Sequence, residues 1–290
     1  MDYMKHKGVL WLLFDNIDKG WPTLGLQHED LVIIRSLIDA TRKIERQFGK
    51  HELEVHTIVF LRNDVYELLV KETSDRGKEA SVLLDWTDPD LLREILRLRI
   101  VANNFNEEMK FCELWPKICV SHYKGEDTSQ YLIDRSLLRP RFLLNLIGQC
   151  KSCAVNLKHT IIEEDDIKKG TEAYSVDLVT DIGYEISDIE PQAVDILYAF
   201  IDSKPNLTRA STYSLLKEYG LEDSLVEKVF NLLLWYGFLG IKRGVEDTKY
   251  IYNFNYNMKL LMGMVKKGGV DSIYEIHPAF WPALMIAGDD

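Results

Sequence analysis

The sequence predicts an α/β chain that begins with part of a parallel sheet, continues as helices and ends in a smaller helix-and-hairpin module. Two short apolar runs, residues 9–14 and 53–61, are separated by an amphipathic helical pattern. Apolar side chains then recur at helical spacing from residue 89 onward. Near the C-terminal end, two apolar segments flank a polar turn, which is typical of a β-hairpin.

Composition describes a chain that can bury a sizeable core. Of the 290 residues 46% are hydrophobic, which fits one large or two ordinary domains. The net charge of -11 argues against a long basic surface that wraps nucleic acid or an anionic membrane. No apolar stretch approaches the roughly 18 residues of a membrane helix. We therefore expect a cytoplasmic protein that neither spans nor binds a membrane.

The four cysteines predict buried, reduced thiols and no metal site. They are Cys112, Cys119, Cys150 and Cys153, and only the last two form a Cys-x-x-Cys pair. A zinc ribbon needs a second such pair, and the helical pattern around Cys150 lacks the βαβ context of a redox motif.

The first apolar run ends abruptly in polar residues. Val9 to Phe14 is followed by Asp15, Asn16 and Asp18. In open α/β sheets the carboxyl ends of the strands are where ligands bind, and a carboxylate there can hold the magnesium ion that bridges nucleotide phosphates. The alternative is that Asp15 and Asp18 only end the strand and start a loop.

A second strand is predicted to end at the same edge. Glu29 to Phe48 has helical spacing and leads into the strand Leu53 to Leu61, so strand, crossover helix and strand form a parallel unit. Arg62 and Asn63 follow that strand. Neighbouring strands then bring polar groups to one edge of the sheet, as in a phosphate site. Arg62 is the first choice for the residue that contacts the phosphate, and Asn63 is the second.

A later helix starts with two cations. Pro140 presets the first helical position, and Arg139 and Arg141 flank it. Because the helix dipole disfavours positive charge at this end, the placement indicates an anionic partner, and forked guanidinium donors suit phosphate oxygens. The alternative is an ion pair with Asp134 or another acid.

The C-terminal third predicts three helices and a hairpin, the pattern of a winged helix. The third helix carries Glu222, Asp223 and Glu227, which favours a packing or interaction role over sequence-specific DNA reading. Lys242 and Arg243 in the wing leave nonspecific phosphate contact open. The predicted segments are the helices Glu190 to Ile201, Thr208 to Tyr219 and Glu222 to Tyr236, and the hairpin segments Phe238 to Ile241 and Tyr250 to Phe254.

Four clusters resemble, in order and spacing, a bacterial family of P-loop ATPases related to the KAP and STAND classes of AAA+-like enzymes. This resemblance implies a partial parallel P-loop NTPase core in residues 1–84, a helical lid in residues 85–185, and a winged-helix module with a C-terminal segment in residues 186–290. The clusters are Leu13 to Trp21, Phe60 to Asp64, Arg139 to Leu144 and Ile276 to Phe280.

The resemblance also implies roles for individual residues. Asp15 corresponds to the Walker B carboxylate that holds Mg²⁺, and Arg62 corresponds to sensor 1. Arg141, with Arg139 beside it, corresponds to the sensor 2 arginine of the lid. The implied ligands are ATP and Mg²⁺.

Two departures limit the expected activity. Asn16 stands where many AAA+ enzymes carry the glutamate that activates water, and an amide cannot take that proton, which leaves Asp18 as the substitute base. The Gly-x-x-x-x-Gly-Lys-Ser/Thr loop is absent from the sequence. We therefore expect weak ATP binding or none by this chain alone.

Three functional hypotheses follow. The first is the rear portion of a P-loop ATPase that acts as a nucleotide-dependent switch. The second is a nucleic-acid-binding regulator that uses the wing. The third is a partner subunit that completes its site with a P-loop-bearing chain, or that self-associates through the exposed sheet edge.

Overall fold

The computed structural model describes residues 8–18, 28–72, 81–103, 106–244, 247–269 and 272–288. The described chain is mixed α/β, with predominantly helical structure and small sheets. It divides into two compact units, Met1–Val82 and Leu83–Asp290. Among the described helices, none combines the length and the apolar character needed to cross a bilayer.

The first unit is a strand, helix, strand and helix in succession. Strands β1 and β2 pair in parallel, with Leu10 opposite Val55 and Phe14 opposite Val59. The connecting helix α1 packs against β2, and it carries apolar residues at helical spacing that bury Ile34 against Val65 and Leu69 of α2. The elements are β1 (Leu10–Phe14), α1 (His28–Gly49), β2 (Val55–Val59) and α2 (Asn63–Glu72).

One face of this two-stranded sheet is open. The side chains of Trp11 and Leu13 are 55% and 60% exposed, and Ile58 beside Leu13 is also exposed. A continuous apolar run such as residues 9–14 is typical of a strand buried on both faces of a parallel sheet, but within the described residues one face of β1 is exposed. The reason is that α1 covers only one face, so alternate side chains of β1 point away from it.

The second unit begins with a group of helices. Asp88 caps α3 by accepting the backbone N–H of Asp90, and Pro89 occupies the first helical position. The elements are α3 (Pro89–Val101), α4 (Phe111–Leu114), β3 (His122–Tyr123), β4 (Glu126–Asp127), α5 (Thr128–Arg135), α6 (Pro140–Leu157) and α7 (Glu164–Ser187).

The long helices α6 and α7 approach each other closely. A Cβ on Gly170 of α7 would lie 2.6 Å from the Cα, N and Sγ of Cys150 on α6. Cys119 and Cys150 are buried, and burial raises the pKa of each thiol to about 12. All four cysteines are free; of the Cys-x-x-Cys pair Cys150 is buried as expected and Cys153 is only partly buried, while Cys119 is buried and Cys112 is exposed.

The C-terminal part contains a four-stranded antiparallel sheet with the order β5-β8-β6-β7. Two helices precede β6, and a third lies between β7 and β8. The elements are β5 (Asn206–Thr208), α8 (Arg209–Glu218), α9 (Asp223–Trp235), β6 (Leu239–Lys242), β7 (Thr248–Lys249), α10 (Met258–Gly268) and β8 (Ile273–Ile276).

Three details of this part differ from the sequence prediction. The predicted helix Glu190 to Ile201 is instead two short 3₁₀ helices, Pro191–Ala193 and Ile196–Phe200. Asp195 lies between them in a left-handed conformation, with a φ of 57°, which interrupts a continuous helix. Ile251–Phe254 is a 3₁₀ turn and not a strand. Strand β8, which ends in the motif beginning at Ile276, was not predicted and lies between β5 and β6.

One hydrophobic core runs through the second unit, from Leu92 to Ile286. Polar contacts reinforce it: the Tyr236 hydroxyl donates to the Glu185 carbonyl at 3.1 Å, and the Ala283 N–H donates to Ser175 Oγ at 3.0 Å. The helical segment and the C-terminal segment are therefore packed as one unit, and the domain boundary predicted after residue 185 stays a prediction.

We expect Gly170→Ala to destabilise the second unit. Its added methyl group meets the backbone of Cys150, so the two helices must separate, at a cost of about 1–3 kcal/mol. Gly183→Ala on the same helix is the matched control, because its Cβ meets nothing within 4 Å and alanine favours a helix. Thermal unfolding measures the difference; a Tm for Gly170→Ala at or above that of Gly183→Ala contradicts the close approach.

Candidate functional site

The carboxyl ends of β1 and β2 lie side by side. The strands are in register up to Phe14 and Val59, and the Phe60 N–H donates to the Phe14 carbonyl at 2.9 Å. The residues that follow each strand are therefore brought together at one edge of the sheet, as the parallel prediction requires.

Asp15 is exposed at this edge. Its Oδ1 accepts the backbone N–H of Asn16 at 2.8 Å. Asn16 has a φ of 58°, a left-handed conformation that asparagine tolerates better than most residues. The chain turns sharply here, so the Asp15 carboxylate lies at the surface where a cation and its ligands can approach.

Asp18 lies deeper and joins the two strand ends. It is only 7% exposed, and its Oδ2 accepts the backbone N–H of Arg62 at 2.8 Å. A buried carboxylate is costly unless it is hydrogen-bonded, so this contact explains why an acid is tolerated at the position. The alternative interpretation of Asp18, as a residue that orders the loop, therefore has direct structural support.

Arg62 and Asn63 follow β2 and are both partly buried. Helix α2 begins at Asn63, and the Arg62 carbonyl accepts the N–H of Tyr66 in the first turn. The positive end of the helix dipole therefore lies at the same edge as Asp15 and Asp18. Lys19, Gly20 and Trp21 of the first motif lie outside the described residues, as does the side chain of Asp64.

Asp15 is the exposed carboxylate at this edge, and the described residues contain no group of three or more His, Cys, Asp or Glu side chains that could hold a metal ion. An exposed carboxylate is a ligand that Mg²⁺ prefers, and Mg²⁺ in nucleotide sites is held by one or two carboxylates together with phosphate oxygens. The described residues of the first unit supply Asp15 for such an ion. They do not include a glycine-rich loop that could hold a triphosphate through backbone N–H groups.

Arg139 lies in the second unit and is held by neighbours within that unit. Its NH1 lies 3.6 Å from the Glu185 carboxylate, its Nε donates to the Tyr256 hydroxyl at 3.4 Å, and its guanidinium lies over the Phe142 ring. The sequence left open an ion pair with Asp134 or another acid, and the acid is Glu185. The role of Arg139 as a phosphate ligand stays a prediction, whereas its contacts with Glu185, Tyr256 and Phe142 show that it packs within the second unit.

Arg141 differs from Arg139 because its side chain is exposed in the first turn of α6. Of the two arginines, it is the one whose guanidinium is available to solvent. Its assignment as sensor 2 stays a prediction.

A polar cavity of about 370 Å³ in the second unit was missed by sequence reasoning. The segments that form it are far apart in sequence, so no local motif marks it. His277 at its wall is buried; its Nδ1 accepts the Ala279 N–H, and its Nε2 lies 3.1 Å from the Tyr252 hydroxyl. Burial, with Arg135 nearby, lowers the pKa of His277 to about 3, so the ring is neutral. The cavity is lined by residues that include Asp134, Arg135, Tyr250, Tyr252, Glu275 and His277.

The helical part of the second unit is similar to a known protein family. Residues 90–183 match the family model of the FunZ-associated C-terminal helical domain. That range runs from the start of α3 to near the end of α7. The matched family is described as a helical domain, so the resemblance to KAP and STAND ATPases stays a prediction.

Two curated relatives are similar to larger parts of the chain. A transposon gamma-delta 80.3 kDa protein of Escherichia coli (strain K12) is 25% identical over 252 residues, which cover 79% of this chain and 34% of that protein. The allergen Alt a 2 of Alternaria alternata is 26% identical over 172 residues, or 58% of this chain and 88% of that protein. The chain thus spans about a third of the first relative's length. No solved structure matches the chain.

We expect Asp18→Ala to loosen the link between the two strand ends, whereas Asp15→Ala leaves it intact. A hydrogen bond to a charged group contributes about 1.5–3 kcal/mol, and only Asp18 accepts the Arg62 N–H. Hydrogen exchange of the Arg62 amide, followed by NMR, should accelerate markedly in Asp18→Ala and stay near wild type in Asp15→Ala. Equal exchange in the two variants rules the link out.

Proposed function

We propose that the first unit is the Walker B and sensor portion of a P-loop ATPase site, and that the chain acts as a nucleotide-dependent switch. The observation that carries the proposal is the parallel β1-α1-β2 unit with Asp15, Arg62 and Asn63 at its carboxyl edge. In this role Asp15 holds Mg²⁺, which when bound neutralises the charge of the terminal phosphates.

Arg62 and Asn63 are the proposed sensor residues for the terminal phosphate. Their position between β2 and α2 supports this, because the helix dipole favours negative charge at the start of α2. Arg62 adds a forked set of donors, and the Asp18 contact to its backbone fixes the segment from which that side chain extends.

The residues after Asp15 favour a switch over rapid hydrolysis. The Asn16 amide cannot accept a proton from water. Asp18 can accept one only by giving up its hydrogen bond with the Arg62 backbone. In the proposed role, binding of ATP therefore changes the state of the protein, and cleavage is slow.

Triphosphate binding requires a phosphate-binding loop from another segment or chain, since the 290 residues contain no Gly-x-x-x-x-Gly-Lys-Ser/Thr sequence. The outer edge of β2 is partly closed, because Glu45 accepts the N–H and the hydroxyl of Thr57 at 2.6 Å. Among the described strands β2 is the only neighbour of β1. The free edge of β1 is therefore the proposed place where a P-loop-bearing chain, or a second copy, adds its strand.

The second unit supplies the proposed helical lid and a winged-helix module. In the related family the lid carries sensor 2, and exposed Arg141 is the residue proposed for that role. Support for a winged helix comes from α8, α9 and the β6-β7 hairpin, and β8 lies between that hairpin and β5 in the sheet.

Paramagnetic broadening with Mn²⁺ and ATP tests the nucleotide site. Mn²⁺ accepts the same oxygen ligands as Mg²⁺, so at millimolar ATP we expect selective loss of the backbone NMR signals of Asp15 to Asp18 and of Arg62 and Asn63. Asp15→Ala should remove the effect, while Asp39→Ala, an exposed carboxylate on α1 of the same unit, should not.

Broadening spread evenly over acidic surface residues, or broadening that survives Asp15→Ala, contradicts the proposal. A chain mixed with a P-loop-bearing partner should show the same pattern at lower ATP concentration.

A second candidate function is phosphate or nucleic-acid contact through the wing. One observation favours it: a cleft of about 1010 Å³ lies between the β6-β7 hairpin and α10, and the charged residues that line it within the described ranges are the cations Lys242, Arg243 and Lys267. Against it, other cations of the module are paired, Arg209 with Glu227 and Lys228 with Glu190.

DNA affinity measured as a function of salt distinguishes this candidate. If the wing contacts phosphates, the double variant Arg243→Ala/Lys267→Ala should bind more weakly, and its log-log salt slope should fall by about 2. Lys259→Ala on the same helix is outside the cleft and serves as the control. Absence of binding by wild-type protein at low salt removes the candidate.

A further inference from the structure

A second, more apolar groove lies in the helical part of the second unit, far in sequence from the wing. It has a volume of about 470 Å³ and runs between α3 and α6. Its floor includes buried Leu96, Ile100 and Trp115. Residues Thr160 to Ile162, just after α6, close one side.

The groove is elongated along α6. Along α6 its lining extends from Leu144 to Val155, about 16 Å at the helical rise, and along α3 from Leu96 to Asn103. This is the length of about three helical turns. Val155 lines the groove and is 63% exposed, so an apolar side chain on its wall lacks cover.

Among the described residues, the formally charged side chains that line the groove are all basic. Arg99 on α3, Lys117 on the neighbouring turn and Lys151 on α6 line it, and each is exposed. No aspartate or glutamate is among the lining residues, although the chain as a whole carries a net charge of -11. His159 also lines the groove, and its hydrogen bond with Asp166 raises the pKa of the imidazole.

We propose that the groove between α3 and α6 docks an acidic amphipathic helix of a partner protein. Apolar side chains at positions i, i+4 and i+7 of that helix contact the floor, and acidic side chains on its two flanks face Arg99, Lys117 and Lys151. The three cations are on separate elements, whereas a small amphiphile presents a single anionic head. An acidic helix presents a distributed set of carboxylates.

Fluorescence anisotropy with a model helix tests the proposal on the full chain. The probe is a fluorescein-labelled, helix-stapled peptide of about 18 residues, with leucine at i, i+4, i+7 and i+11 and glutamate on both flanks. A matched peptide with lysine in place of each glutamate is the charge control, and sodium decanoate is the small-amphiphile competitor. The acidic peptide should bind at least tenfold tighter than the basic one, with affinity falling as salt rises.

Two pairs of variants locate the binding. Val155→Asp should weaken the acidic peptide about tenfold or more, because it places a charge in the apolar contact, whereas Val176→Asp at an exposed site on α7 should not. Lys151→Glu should weaken binding several-fold at low salt, with the difference shrinking at high salt, whereas Lys168→Glu should not.

Each contrary result overturns the proposal. Equal affinity for the acidic and basic peptides contradicts recognition by charge. Absence of binding by either peptide contradicts docking of a helix in the groove. Binding of decanoate, measured by calorimetry, together with absent peptide binding identifies a small-amphiphile pocket instead. All four substituted positions are exposed, so melting curves near wild type keep a loss of binding separate from a loss of fold.

Discussion

The parallel pairing of β1 and β2 is the constraint on which the account of the first unit depends. Because parallel strands run in the same direction, Asp15, Asp18 and Arg62 must meet at one edge. The hydrogen bond from the Arg62 backbone to Asp18 then fixes the two following segments to each other. This arrangement separates two acids that look alike in sequence: Asp18 is used for structure, and Asp15 remains exposed for an incoming ligand.

The sequence predicted the order and pairing of the elements of the first unit, but not which side chains are exposed or how the strand ends are linked. The order strand, helix, strand and the parallel pairing follow from short apolar runs on either side of an amphipathic helix. The exposure of Trp11 and Leu13 could not be predicted, because a continuous apolar run does not tell which face is covered. The hydrogen bond between Asp18 and the Arg62 backbone also has no local sequence signal, because the two residues are 44 positions apart.

The second unit shows where local patterns fail. Strand β8 has four residues, and it is paired with strands that lie far away in the sequence, so nothing nearby predicts it. The same holds for Arg139, whose partners Glu185 and Tyr256 come from distant segments. Helices α3 and α6 were easier, because a proline at the first helical position and apolar spacing are local signals, and both lie in the part that matches the FunZ-associated helical domain.

The central claim is that nucleotide engages the carboxyl edge of the β1-β2 sheet. Hydrogen exchange of the whole chain, measured with and without millimolar Mg²⁺ and ATP, tests it most directly. The account predicts added protection confined to the segments around Asp15 to Asp18 and Arg62 to Tyr66 within the first unit. Unchanged exchange in both segments, with protection elsewhere or nowhere, would contradict it.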